Sequence, residues 1–80
     1  MMTHELKTWV PYFQDVKSGK KKFEIRINDR DYKLGDTLIL KEYDDENYTY
    51  TGDELAVKVI YTLHGGNFGV QEGYVLMGIE

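Results

Sequence analysis

The spacing of apolar and polar positions changes several times along the chain, and each change marks an element. His4 to Lys7 reads as a short first strand. Val10, Phe13 and Val16 follow at helical spacing with Tyr12 beside them, which predicts one N-terminal helix. Thr8 is the expected N-cap, and Pro11 falls near the first turn, where proline is tolerated. Ser18-Gly19 ends the helix, with Gly19 as the left-handed terminator. From Lys22 to Ile27 the period drops to two. Phe23, Ile25 and Ile27 are expected to face the core, and Lys22, Glu24 and Arg26 the opposite side.

The rest of the chain reads as strands separated by polar turns. Asn28-Asp29-Arg30-Asp31 and Gly35-Asp36 are turns, and Thr37 to Tyr43 is a strand. Asp44-Asp45-Glu46-Asn47 is a hairpin tip, Tyr48 to Thr51 returns, and Gly52-Asp53 turns again. Leu55, Val57, Val59, Tyr61 and Leu63 alternate as the longest strand signal, which Gly65-Gly66-Asn67 breaks. Tyr74 to Ile79 is a final strand. The pattern predicts an α+β, mainly β fold over residues 1–80 as one domain. Its form is a small barrel or strongly curled sheet of five to six strands, with the helix over one open end or face.

Composition sharpens this picture. Eighty residues give a thin core with little room for buried polar groups. Eleven aromatic residues, seven of them tyrosine, favour pleated, half-buried surfaces, and they can also stack on bases. There is no cysteine, so disulfides and thiolate metal sites are excluded. No apolar run suits a signal peptide or a membrane span, so a cytoplasmic, membrane-free protein is expected; a monomer is expected as well. The net charge of −4 hides a polarity. Residues 1–30 carry seven Lys/Arg against four Asp/Glu, and residues 31–80 carry three against ten. An anionic ligand is therefore expected on the first thirty residues. The acidic half is the alternative candidate, as a surface for a protein partner.

The richest chemistry lies between Gly19 and Arg26. Glu24 and Arg26 sit two apart on a strand and project from one face, with Lys21 arriving from the strand start. Arginine offers a rigid donor fork for a phosphate or a base edge, and a carboxylate accepts from a base amine. The plainer reading is a solvated ion pair on an exposed strand. Other motifs lack their partners. The Lys20-Lys21-Lys22 run has no Walker glycine, because Gln14 stands where one is required. His4 and His64 lack metal-ligand spacing, the acidic tip lacks the glycine and distal glutamate of a calcium loop, and Ser18 has no nucleophile-elbow context. No metal, cofactor or catalytic residue is expected.

Gly19, Lys21, Glu24 and Arg26 fit the pattern G-x-K-x-x-E-x-R, which resembles the signature of ASCH domains in the PUA-like superfamily. His4-Glu5-Leu6-Lys7, Asn28-Asp29-Arg30-Asp31, Gly35-Asp36, Glu42-Tyr43-Asp44, Tyr50-Thr51-Gly52 and Gly73-Tyr74-Val75 extend the likeness over residues 4–79. The whole set is similar to a small bacterial and phage family of unknown function in that group. The resemblance implies a curled barrel whose cleft against the helix is lined by the motif and binds RNA or a nucleotide-like ligand. On that basis Lys21, Glu24 and Arg26 are the expected contacts, Lys7 and His4 the rim, and Gly19 part of the motif. It also implies an enzyme alternative, since some minimal bacterial ASCH proteins deacetylate N4-acetylcytidine. Those keep the lysine but carry threonine where this chain has Glu24, and they need a distal glutamate with no counterpart here. No turnover is therefore expected.

Overall fold

The computed structural model describes all 80 residues. Five strands and one helix follow in the order β1 (Thr3–Trp9), α1 (Val10–Lys17), β2 (Phe23–Ile27), β3 (Thr37–Asp44), β4 (Thr49–His64) and β5 (Tyr74–Ile79). They form one sheet in the spatial order β1-β3-β4-β5-β2. Only β1 and β3 run parallel; the other pairs are antiparallel.

The geometry of β4 shapes everything else. Its first half pairs with β3 as far as Lys58, and its second half pairs with β5 from Val59 onward. The predicted turn at Gly52-Asp53 is a bulge inside this strand. Gly52 takes φ +95°, and the register slips opposite Glu42 between Lys41 and Tyr43. A second irregularity lies between Val59 and Tyr61. One strand serving two ladders, bent by bulges, curls the sheet onto itself. The sheet does not close. β1 and β2 remain its two edges, brought near one another without a ladder between them.

The core lies inside this curl, built from Leu6, Leu38, Leu40, Val57, Val59, Val75, Met77 and Ile79 together with Phe13 and Val16 of the helix. Phe13 and Val16 are the buried helix residues, as their spacing predicts, and Glu42 ties the helix down by accepting from Gln14 Nε2 at 2.7 Å. Gly19 has φ +85° and ends the helix as expected. Thr8 does not cap it. Strand β1 runs on to Trp9, which occupies the N-cap position without a side-chain bond, and Thr8 points inward from the strand.

The facing of β2 is the reverse of the expectation. Glu24 pairs opposite Met77 and Arg26 opposite Val75, both fully buried, so these charged residues share the core side of the sheet. Phe23, Ile25 and Ile27 face outward and are about half exposed. The bulge in β4 reverses the long alternation similarly. Val57 and Val59 are buried, but beyond the bulge Thr62 lies opposite buried Met77 and Tyr61 turns outward.

Candidate functional site

Arg26 bridges the seam between β1 and β2, braced by Glu24, which Lys21 also holds. The Arg26 guanidinium donates from Nε and Nη2 to Glu24 Oε1, at 3.2 and 2.8 Å. Its Nη2 also donates to Thr8 Oγ1 at 3.1 Å, and its Nη1 to the Lys7 carbonyl at 3.1 Å. Thr8 in turn donates its hydroxyl to the Leu6 carbonyl. Four of the five guanidinium N–H groups are thus engaged within the protein. Lys21 Nζ donates to Glu24 Oε2 and to the Phe23 carbonyl. Glu24 therefore stands between two cations with its side chain 4 % exposed, and one lone pair on Oε2 stays free.

Beside these groups opens a cavity of about 490 Å³. Lys7, Trp9 and Tyr12 line it on the β1–α1 side, and Phe23 and Ile25 on the β2 side. Lys21, Glu24, Arg26 and Thr8 complete it. Trp9 and Tyr12 lie nearly parallel, 23° apart with ring centroids 6.4 Å apart, and each is about half exposed. The Lys21 ammonium sits 4.7 Å from the centre of the Phe23 ring. The Lys7 ammonium lies over Tyr43 at 4.3 Å. The site offers aromatic side chains from both strand edges and hydrogen-bond donors beside them: the Lys7 ammonium, one N–H of Lys21 and one of Arg26. A planar ring with an anionic substituent matches that set.

Of the residues singled out in the sequence, the fold brings Lys7, Lys21, Glu24 and Arg26 together. It does not bring His4 or Gly19. His4 is buried, with its Nε2 2.8 Å from Asp36 Oδ2 and its ring edge-on to Tyr32, so it supports β1 from below instead of lining a rim. Gly19 borders a separate hollow of about 90 Å³. The acidic hairpin tip organises itself, because Asp44 accepts from the backbone N–H groups of Glu46 and Asn47 and from the Asn47 amide. Those bonds hold the Asp44 carboxyl below the usual range, the Asn47 side chain contributing most. No group of three or more His, Asp or Glu is placed to hold a metal ion.

Sequence reasoning missed Trp9 and Tyr12 as site residues, and with them Thr8, Phe23 and Ile25. For Trp9 the signal was present. Extending the period-two reading of β1 past Lys7 puts Glu5, Lys7 and Trp9 on one outward face.

The family model described as a domain of unknown function, DUF3850, matches residues 3–79. The chain belongs to this family. An uncharacterised 12.9 kDa protein of Escherichia phage P2 is 52% identical over 40 residues, half of this chain. The matched stretch is 37% of the phage protein's own length. No helix of the family member described here is long and apolar enough to cross a membrane.

Proposed function

We propose that the seam cavity binds a nucleotide-like ligand, in the cell a nucleotide of single-stranded RNA, and does so without chemistry. One observation carries the reading: Trp9, Tyr12 and Phe23 line a single cavity together with Lys7 and Lys21. Bases stack on aromatic rings, phosphates take lysine donors, and the volume of about 490 Å³ suits a small ligand. The resemblance of Gly19, Lys21, Glu24 and Arg26 to the ASCH signature supports the same reading. The roles differ from those the motif suggests by itself. Glu24 and Arg26 hold the two strand edges, and the free donors are mostly lysine.

Calorimetric titration with the four ribonucleoside monophosphates tests the reading. Binding is expected at low salt and is expected to weaken as salt rises. Trp9→Ala should weaken it about tenfold, the loss of one stacked base. Lys58→Ala should leave it within about twofold, since Lys58 lies outside the cavity. Absence of binding up to millimolar nucleotide at low salt would refute the proposal.

The deacetylase alternative finds less support in the geometry. Glu24 is the single carboxylate lining the cavity, and Lys21 and Arg26 already occupy it. Acid–base pairs need two groups with contrasting surroundings. Incubation with N4-acetylcytidine is expected to release no cytidine by chromatography. Release that Lys21→Ala abolishes would show this expectation wrong.

A further inference from the structure

The cavity is not isolated. A second hollow of about 320 Å³ lies further along the same seam, and the two share Ile25 and Arg26 as a common wall. Together they make one groove along the edges of β1 and β2. Beyond Arg26 the groove is bordered by Arg30, Ile27 and Tyr74, with Asp29 as the one carboxylate of this second hollow. Arg30 repeats on a smaller scale what Arg26 does. Its Nη1 donates to the Glu5 carbonyl at 2.9 Å, two residues before the Lys7 carbonyl that Arg26 holds. Unlike Arg26, it has no other recorded partner, so most of its donors face solvent in the groove.

Two guanidinium groups anchored two strand residues apart are separated along β1 by roughly 7 Å. That is comparable with the step between successive phosphates of an extended single strand. We infer that the groove takes at least two consecutive nucleotides of a single-stranded RNA. One base lies in the larger cavity against Trp9, the next base lies beyond Arg26 against Ile27 and Tyr74, and Arg30 holds the second phosphate. The inference rests on the nucleotide-binding reading and extends it from a mononucleotide pocket to a strand-binding groove.

The other extended occupant for a seam between two strand edges is a peptide that adds as a strand. The edge of β1 is poorly suited to it. Its Glu5 and Lys7 carbonyls, which an added strand would need as acceptors, are already held by Arg30 and Arg26. The remaining N–H groups of Arg30, Lys21 and Arg26 are unengaged donors that match phosphates along a backbone, set against one unpaired carboxylate, Asp29.

The lone tryptophan, Trp9, provides the readout, because a base stacked against it changes its fluorescence. Adenosine and uridine 5′-monophosphates, their 5′-phosphorylated dinucleotides and the corresponding hexamers are titrated into the intact protein. The dinucleotides are expected to bind about tenfold more tightly than the mononucleotides. Arg30→Gln keeps an N–H for the Glu5 carbonyl and removes the charge. It should erase that gain, lower the salt slope for the dinucleotide by about one, and leave mononucleotide binding within about twofold. Mononucleotide binding with no gain for the dinucleotides would overturn the groove and leave the nucleotide pocket standing. Equal losses for both ligands in Arg30→Gln would also overturn it. No binding of any nucleotide would overturn both readings, as would saturable binding of an acidic extended peptide with none of RNA.

Discussion

Replacing Glu24 by alanine is expected to lower the stability of the protein by about 3 kcal/mol and to abolish ligand binding. The cost comes from what is left behind. Lys21 and Arg26 are 16 % and 25 % exposed and would face each other across the floor of the seam without their shared acceptor. Removing one partner of a buried ion pair leaves an uncompensated charge, which costs more than the pair itself contributes. For a domain of this length total stability is about 4–12 kcal/mol, so the variant should fold but melt early. Binding should fail for a geometric reason. Glu24 orients Lys21 at the cavity wall and braces Arg26 as it reaches the Lys7 carbonyl, so both donors and the spacing of the two edges are lost together. Urea denaturation measures the first effect and nucleotide titration of the folded variant the second. Glu24→Gln separates them further. Its amide keeps one acceptor for Arg26 but turns an NH2 group or nothing toward Lys21, so it should cost less stability and still bind at least about tenfold more weakly. A Glu24→Gln protein that binds normally would show that the charge at this position is dispensable.

The second large effect is expected at Asp36, far below the cavity. Its side chain is fully buried and accepts from the Met2 N–H at 3.0 Å, the Lys33 N–H at 3.0 Å and His4 Nε2 at 2.8 Å. Burial by itself would raise the carboxyl pKa. The hydrogen bonds from Met2, His4 and Lys33 outweigh it and bring the pKa down to about 2. The folded state therefore favours the ionised form more than the unfolded chain does, where the reference value is 3.8. Stability from this group is fully present above pH 4 and is lost as the pH falls through about 2. Thermal melting should show a steep decline in that window. Asp36→Asn should flatten the decline and lower stability at pH 7 by about 3 kcal/mol, because an amide cannot accept from three converging donors. Unchanged acid sensitivity in Asp36→Asn would place the titrating group elsewhere.

Much of the fold was legible in the sequence, and the failures share a cause. The helix was readable because Val10, Phe13 and Val16 lie on one face and Gly19 supplies the left-handed stop. Strand β5 was readable to the residue because Val75, Met77 and Ile79 alternate with half-buried neighbours. The facing of β2 was not readable. Phe23, Ile25 and Ile27 look like a core stripe, and Glu24 and Arg26 like a solvent face. The opposite holds because Glu24 is paired with both Lys21 and Arg26 inside the curl, while the apolar residues border a groove. That balance depends on the edge of β1 arriving alongside, which local pattern does not encode. Likewise the alternation from Leu55 to Leu63 carries no mark of the bulge near Ile60 that reverses it. The fold places Lys21, Glu24 and Arg26 of the motif around one cavity. Which of its residues meet a ligand and which brace the walls emerges only from the hydrogen bonds.

The strand order also dictates when the groove can come into being. Both of its edges lie in the first 27 residues, yet neither edge pairs with the other or with a near neighbour in sequence. β1 has only β3 as a ladder partner, and β2 has only β5, whose residues are Tyr74–Ile79. During synthesis the segment carrying Lys21, Glu24 and Arg26 leaves the ribosome before β5 and has no strand to join until β5 follows about fifty residues later. Pairings this distant close slowly, because the loop entropy is spent before the contacts form. The seam between β1 and β2 is therefore among the last parts of this fold to assemble, although both strands precede their ladder partners in the chain.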